Sequence, residues 1–395
     1  MKKSWILIAI AVLAVVAGVG VSASSATAAK AGRLHAQKVC ATPAAGKASC
    51  HAQVLVDAHG AYPLASSPPA GGFDPFELRD AYKLTGLSSA GRTVAVVDAY
   101  GYPNLERDLG VYRSTFGIPA CTKANGCLRI VNQSGGSLLP RMDTGWAQEQ
   151  ALDVDAVSAA CPDCKILVVQ ASTPSFGNLG TAVNTAARLG AAAISNSYGG
   201  GDAADTSYGK YYNHPGIAVT ASTGDSGYKG GSYPASSSYV TAVGGTSLAK
   251  DSSARGWSET VWSGAGSGCS SYNVALSAAA AFDTGCGKRA MADVSAAADP
   301  STGGMAVYYP TGKTASTWGQ FGGTSESAPI IAAVYALSGN TAAYPNALPY
   351  AHPEALFDVT SGNNGTTCPT TQWCTARVGW DGPTGLGTPN GIAGF

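Results

Sequence analysis

Short apolar, β-branched runs that recur between longer helical stretches constrain the fold more than any other feature of this chain. Thr93 to Asp98 (TVAVVD), Lys165 to Gln170 (KILVVQ), Ala192 to Ser195 (AAIS), Ile217 to Ala221 and Tyr239 to Val243 are near-continuous hydrophobic runs. Runs of this kind suit strands buried on both faces, as in a parallel sheet. Trp146 to Ala160 and Leu179 to Leu189 read as helices between them. The alternation predicts an α/β fold, with a parallel sheet flanked by helices in one domain from Phe73 to Phe395. In such folds reactive residues gather at the carboxyl ends of strands, so those ends are where chemistry is sought.

Upstream the pattern differs. Lys2 and Lys3 precede an apolar run from Trp5 to Val21, followed by small residues with Ala-x-Ala spacing at Ala26 and Ala28. This reads as a signal peptide over residues 1–28, and so predicts a secreted, extracellular protein with no stable membrane association. Residues 29–72 lack periodicity and end in Ala65-Ser-Ser-Pro-Pro-Ala-Gly-Gly72, which predicts a short pro-region or linker. Lys plus Arg and Asp plus Glu balance at 24 each, so no basic footprint for nucleic acid exists and a nucleic-acid role is excluded. The 10 cysteines fall as neighbouring couples: Cys40 and Cys50, Cys121 and Cys127, Cys161 and Cys164, Cys269 and Cys286, Cys368 and Cys374. Behind an export signal they predict local disulfides. Cys161-Pro-Asp-Cys164 also fits a redox or metal motif, but no second Cys-x-x-Cys and no nearby histidine complete a zinc site.

Gly322-Gly323-Thr324-Ser325-Glu326-Ser327-Ala328-Pro329 leads into the apolar helix Ile330 to Leu337. A serine on a glycine turn at a helix N-terminus has N–H groups at hand for a developing oxyanion. An ordinary N-cap explains one hydroxyl as well, but not the paired glycines ahead of it. Such a serine needs a base. The histidines are His35, His51, His59, His214 and His352, the first three in the pro-like stretch, so a histidine-driven triad has little support. Glu149 and Asp153 stand four apart on one helix face together with Ala156, Val157 and Ala160. Like charges on a buried stripe repel and lose hydration, which raises a carboxyl pKa and favours a shared proton. Asp225, in Ser222-Thr-Gly-Asp-Ser-Gly227 after a strand, is either a turn aspartate or, kept protonated, a donor to an oxyanion.

Glu149-x-x-x-Asp153, Ser195-Asn-Ser-Tyr-Gly199, Gly224-Asp225-Ser226-Gly227 and Gly323-Thr-Ser325-x-Ser-x-Pro329, joined by Val97-Asp-Ala-Tyr100 and Asp293-Val-Ser-Ala296, resemble in order and spacing the sedolisin, or serine-carboxyl peptidase, family. The resemblance covers Phe73 to Phe395 and implies a subtilisin-like fold. It implies Ser325 as nucleophile, Glu149 as general base and acid, Asp153 as the residue orienting Glu149, Asp225 as the oxyanion acid, and Asp98 in support. It implies that Ser195, Asn196, Ser197, Tyr198 and Gly199 bind the backbone of polypeptide substrates, and that one structural Ca²⁺ is held by Asp358, Asp381 and the carbonyls of Val359, Arg377 and Gly379. The chain departs from the family at Arg377, where glycine is usual, at Gly322, where serine is common, and in lacking a large pro-domain. The expected function is a secreted, monomeric, acid-acting endopeptidase. A tripeptidyl exopeptidase of the same family and a catalytically dead binding protein on the same scaffold are the alternatives.

Overall fold

The computed structural model describes Met1, Leu34 to Tyr62 and Leu64 to Phe395; apart from Met1, the predicted signal peptide lies outside the described residues. Seven neighbouring strands form the central sheet, in the order Trp257–Val261, Thr241–Lys250, Ala218–Ser222, Ala193–Asn196, Thr93–Ala99, Lys165–Ala171, Leu128–Asn132. Val294–Ala297 adds to Thr241–Lys250 in parallel, and Trp257–Val261 is antiparallel to it. All five predicted runs are strands of this sheet. Three of its strands went unread: Leu128–Asn132, an edge strand interrupted by exposed Arg129, the opposite edge strand Trp257–Val261, and Val294–Ala297.

The chain starts the sheet in the middle, at Thr93–Ala99, goes to the edge with Leu128–Asn132, fills the gap between them with Lys165–Ala171, then crosses to the other flank of the first strand with Ala193–Asn196. This reversal leaves a crevice at the carboxyl ends of the central strands, the usual place for a ligand in an open α/β sheet. Side chains alternate across the strand, so Val94 and Val96 join one apolar cluster and Ala95, Val97 and Ala99 the other. Asp98 shares the parity of Val94 and Val96, and therefore points toward the helices Thr144–Ala160 and Thr324–Ser338. The helix Phe176–Arg188 covers the opposite face, capped by Ser175.

The helix Thr144–Ala160 differs from an amphipathic expectation. Every residue from Trp146 to Ala160 is buried, including the polar side Gln148, Asp155 and Ser158. Those three are satisfied internally: Gln148 donates to the Pro310 carbonyl, Asp155 accepts from the Tyr308 N–H, and Ser158 accepts from Arg113. A helix buried all round has no solvent face for a carboxylate to reach.

The stretch expected to be a pro-region or linker is built into the fold from Leu34 onward. His35–Lys38 pairs with Gln53–Val56, which pairs with Ser316–Gly322, itself in a hairpin with Met305–Pro310. This antiparallel sheet runs directly into the helix that carries Ser325. A boundary at Phe73 therefore does not separate two structural units; Leu34 to Phe395 form one. All five cysteine couples are bridged as their spacing suggests. Cys161 and Cys164, being bonded to each other, cannot serve as thiolate ligands. Among the described residues no helix is long and apolar enough to cross a membrane.

Candidate active site

The nucleophile candidate sits in the first turn of its helix. The helix starts at Thr324, earlier than its apolar run suggests, behind Gly323 at φ +97°. A β-carbon at Gly323 would collide with the His51 carbonyl and with Asp225 Oδ2, so only glycine fits both the backbone angle and the space. Pro329 has no N–H to return to the Ser325 carbonyl, and that free oxygen accepts from Ser197 Oγ at 3.4 Å. Ser325 Oγ in turn donates to the Ser197 carbonyl at 3.2 Å.

Across from it stand three acids whose side chains are fully buried: Glu149, Asp153 and Asp98. Asp153 Oδ1 accepts from Ser197 Oγ at 2.7 Å and Glu149 Oε2 from the Ala52 N–H at 2.8 Å. Four buried oxygens, Glu149 Oε1, Asp153 Oδ2 and both of Asp98, find no donor among the other groups. Among the described residues no salt bridge neutralises the three acids, so protons shared between carboxyls are the available way to satisfy them. Burial pushes Asp153 up to about 8, against the Ser197 hydroxyl. Burial, then Asp153, holds Asp98 well above the usual carboxylate range. Burial, then Asp153 and Asp98, does the same to Glu149, while the nearby Ser325 hydroxyl and the Ala52 N–H pull the other way.

Asp225 follows the strand Ala218–Ser222 and lies against the start of the Ser325 helix. Its Oδ1 accepts from Thr324 N at 2.8 Å and Thr324 Oγ1 at 2.9 Å, and its Oδ2 from Gln53 Nε2 at 3.2 Å. Burial raises it to about 6 in spite of those donors and Lys38.

The five residues read as a substrate strand divide into two groups. Ser195 and Asn196 end a strand of the central sheet and are buried there, Asn196 bonding the Thr220 carbonyl, so they offer no free edge. Ser197, Tyr198 and Gly199 turn out of that sheet, and Tyr198–Gly201 forms a separate short strand beside Ser232–Tyr233. Its other side is paired with the chain's own Ser49–Cys50. The His51 N–H continues that ladder to the Ser197 carbonyl.

The sequence reading missed this N-terminal contribution, because a two-residue strand in an aperiodic stretch leaves no local signal. His51 lines a cleft of about 360 Å³ together with Gly199, Gly200, Thr223, Gly224 and Ser267. Its Nδ1 lies 2.7 Å from Ser222 Oγ, and burial, then Lys38, lowers its pKa to about 3. A β-carbon on Gly199 would strike the imidazole at 2.7 Å. His51 is thus part of the cleft wall, bonded to Ser222 and not serving Ser325 as a base, while His214 and His352 bond Tyr211 and Glu354. Glu326, next to Ser325, was also missed. It is buried, both its oxygens lack side-chain partners, and burial holds its pKa up.

The cation-site candidates lie apart from this cluster. Asp358 Oδ2 accepts from Gly379 N at 2.8 Å, and Asp381 Oδ1 accepts from Thr384 N and Oγ1. Burial raises both, Asp381 to about 7, with Asp358 adding to the rise. The Arg377 guanidinium turns away to the Trp380 carbonyl and to Asp283, so it leaves the two acids uncompensated.

Residues 142–367 match the subtilase family. Kumamolisin of Bacillus sp. (strain MN-32) is 30% identical over 81% of this chain and 62% of its own length. Sedolisin of Pseudomonas sp. (strain 101) is 29% identical over 86% of this chain and 63% of its own. The chain therefore spans less than two thirds of either relative. Among solved structures, Pseudomonas sedolisin (serine-carboxyl proteinase) complexed with two molecules of pseudo-iodotyrostatin matches with a TM-score of 0.68 at 27% identity, covering 82% of this chain and 96% of that one.

Proposed function

The chain belongs to the subtilase family and to its sedolisin branch, and from that premise we propose that it is a serine-carboxyl endopeptidase that hydrolyses polypeptides in acid. The observation that carries the reading is the run of buried, cation-free acids Asp98, Asp153 and Glu149 beside Ser325, with no histidine on its hydroxyl. Glu149 takes the Ser325 proton when that side chain turns from the Ser197 carbonyl, and passes it to the departing amine. Asp153 and Asp98 hold the next protons of the chain and set the orientation and basicity of Glu149. Asp225, kept protonated by burial, donates to the oxyanion together with N–H groups at the helix start.

Ser197 to Gly199 bind substrate backbone by strand addition, which is tolerant of sequence. The cleft holds an internal stretch of chain continuing past both ends of the ladder, which favours an endopeptidase over a tripeptidyl exopeptidase. The relative uncompensated acids Asp358 and Asp381 fit a hard cation, and Ca²⁺ with the carbonyls of Val359, Arg377 and Gly379 would supply the positive charge the loops lack. Export to an oxidising compartment agrees with five disulfides.

Hydrolysis of an unstructured peptide across pH tests the reading. Activity should peak in acid and fall as pH passes about 6, where Asp225 loses its proton. Asp225→Asn should be much slower, and its residual activity should lack that fall. A wild-type optimum in the alkaline range would defeat the assignment.

A further inference from the structure

The buried acid run ends, at Asp98, against two glutamines that the chemistry so far does not use. Gln170 is the register partner of Asp98 on the neighbouring strand, and both side chains point to the same face of the sheet. Both are buried, as is Gln150, which follows Glu149 on its helix and stands three residues before Asp153. Gln150 Nε2 donates to the carbonyls of Ala99 and Tyr100 at 3.4 and 3.3 Å. Tyr100 takes φ +62°, uncommon for a residue with a β-carbon, where the chain leaves the strand Thr93–Ala99. Two main-chain carbonyls on one amide fix its orientation, because the reversed amide would set Oε1 against both oxygens. Gln150 Oε1 therefore faces Gln170, whose Nε2 donates to it at 2.8 Å. Gln170 thus keeps a buried Oε1 with no donor, next along the sheet from an Asp98 carboxyl that has none either. The nearby Tyr198 hydroxyl is spent on Asn196 Oδ1 at 2.8 Å, and Ser195 Oγ, on the strand to the other side, has no partner. Glu149 and Asp153 face Asp98 from the helix, and among the described residues no cationic side chain pairs with any of the three.

We infer that Gln150 and Gln170 are positioning residues of the catalytic site: their locked amides offer Asp98 an acceptor and no donor, which keeps a proton on Asp98 and leaves the negative charge of the run to Glu149. The inference rests on the serine-carboxyl reading above. A neutral Asp98 satisfies Gln170 Oε1 by donating its O–H, whereas an ionised one would set acceptor against acceptor. Asp153 borders both other acids and has one proton to give. If Asp98 were the anion, that proton would turn to it, and Glu149 would keep its own and be unable to take one from Ser325. With Asp98 neutral, the Asp153 proton turns to Glu149, and the charge lies on the carboxylate beside Ser325. The active form of the run therefore holds two protons, one on Asp98 and one on Asp153, and a single charge.

The test compares kcat/KM for an unstructured peptide across pH in wild type and variants. Gln170→Met removes the acceptor and keeps the bulk. Asp98 then gives up its proton at lower pH, and Glu149 holds its own to higher pH. The acid limb of the profile should rise by about one pH unit, the worth of one hydrogen bond made in a single protonation state. The alkaline limb at about 6, set by Asp225, should stay in place. Gln150→Leu frees the Gln170 amide to turn its N–H to Asp98, and should move the acid limb in the same direction. Gln170→Glu, neutral in acid, donates to Gln150 Oε1 and keeps an oxygen for Asp98, and should restore the limb. In an Asp98→Asn background Gln170→Met should shift nothing, because residue 98 can no longer ionise. A limb that stays put in Gln170→Met, or a loss of rate equal at every pH, overturns the inference and leaves the peptidase reading in place. A wild-type optimum in the alkaline range overturns both. Neutron diffraction from wild-type crystals at about pH 4, near ordinary carboxyl pKa values, reads the same point whether or not the variants fold. A deuteron on Asp98 directed at Gln170 Oε1 is expected, and the Gln170 amide nitrogen turned to Asp98 overturns the inference.

Discussion

Two buried sets of acids in this molecule are solved in opposite ways. Asp293 is met by Arg289 through both carboxylate oxygens, by the Tyr350 hydroxyl at 2.6 Å and by the Ala242 N–H at 2.7 Å, while the rest of the guanidinium bonds the Ser237 and Val240 carbonyls. Asp98, Asp153 and Glu149 are equally buried, yet among the described residues four of their six oxygens have no donor and no cationic side chain bridges them. The first set is a charged, saturated structural joint. The second can be satisfied only by protons, and protons that are shared can also be moved. Burial alone does not mark a reactive acid; burial without a counter-charge does.

The largest effect that would sharpen this contrast is on rate. Ser325→Ala should lower peptide turnover by roughly 10⁴-fold or more, and Glu149→Ala added to it should cost little further, since groups of one catalytic unit are not additive. Its denaturant midpoint should stay close to wild type. Arg289→Met should do the reverse at the saturated joint. It leaves Asp293 buried and uncompensated, at a cost of about 3–5 kcal/mol in unfolding free energy, with the pH profile of the surviving activity unaltered. A large shift in that profile would break the comparison.

Asp358 and Asp381 form an intermediate case, acids with local donors but no cationic side chain. A chelator should lower the melting temperature, by an amount equivalent to about 2.7 kcal/mol if calcium stands at roughly a hundred times its Kd. Asp381→Ala should abolish the response to chelator, and a response that persists would remove Asp381 from the site.

The smallest expected effect concerns the pH dependence of stability. A carboxyl whose folded pKa lies above its unfolded value binds more protons when folded, so its contribution is full below the unfolded value and lost as pH rises through the folded one. For Asp153 that window runs from 3.8 to about 8, and for Asp225 from 3.8 to about 6. The melting temperature should therefore decline from acid toward neutral pH. Asp98→Asn removes one member of the proton-sharing run and should flatten the decline, whereas Arg289→Met should lower the whole curve and keep its slope.

What could be read from the sequence was what leaves a local pattern. The run Thr93 to Asp98 announces a buried strand with an acid at its carboxyl end, Glu149 and Asp153 announce one helix face, and the glycines before Thr324 announce a tight helix start. What could not be read depends on partners far along the chain. Val54 pairs with Phe321, and Cys50 with Tyr198, though neither short strand has a periodicity of its own. The burial of Gln148, Asp155 and Ser158 on the Thr144–Ala160 helix was not legible because their partners, Pro310, Tyr308 and Arg113, come from other elements. His51 was set aside as part of a linker, for the same reason.

The strand Tyr198–Gly201 has a second meaning beyond recognition. Three of its four residues are glycine, so it offers backbone groups and almost no side chains to enforce register. An exposed edge of that kind is a template on which a second copy can nucleate stacked assemblies, a hazard for any chain held at high concentration during export. Here Ser232–Tyr233 covers one side and Ser49–Cys50 the other. The N-terminal strand thus also closes an edge of the cleft that would otherwise present unpaired backbone groups.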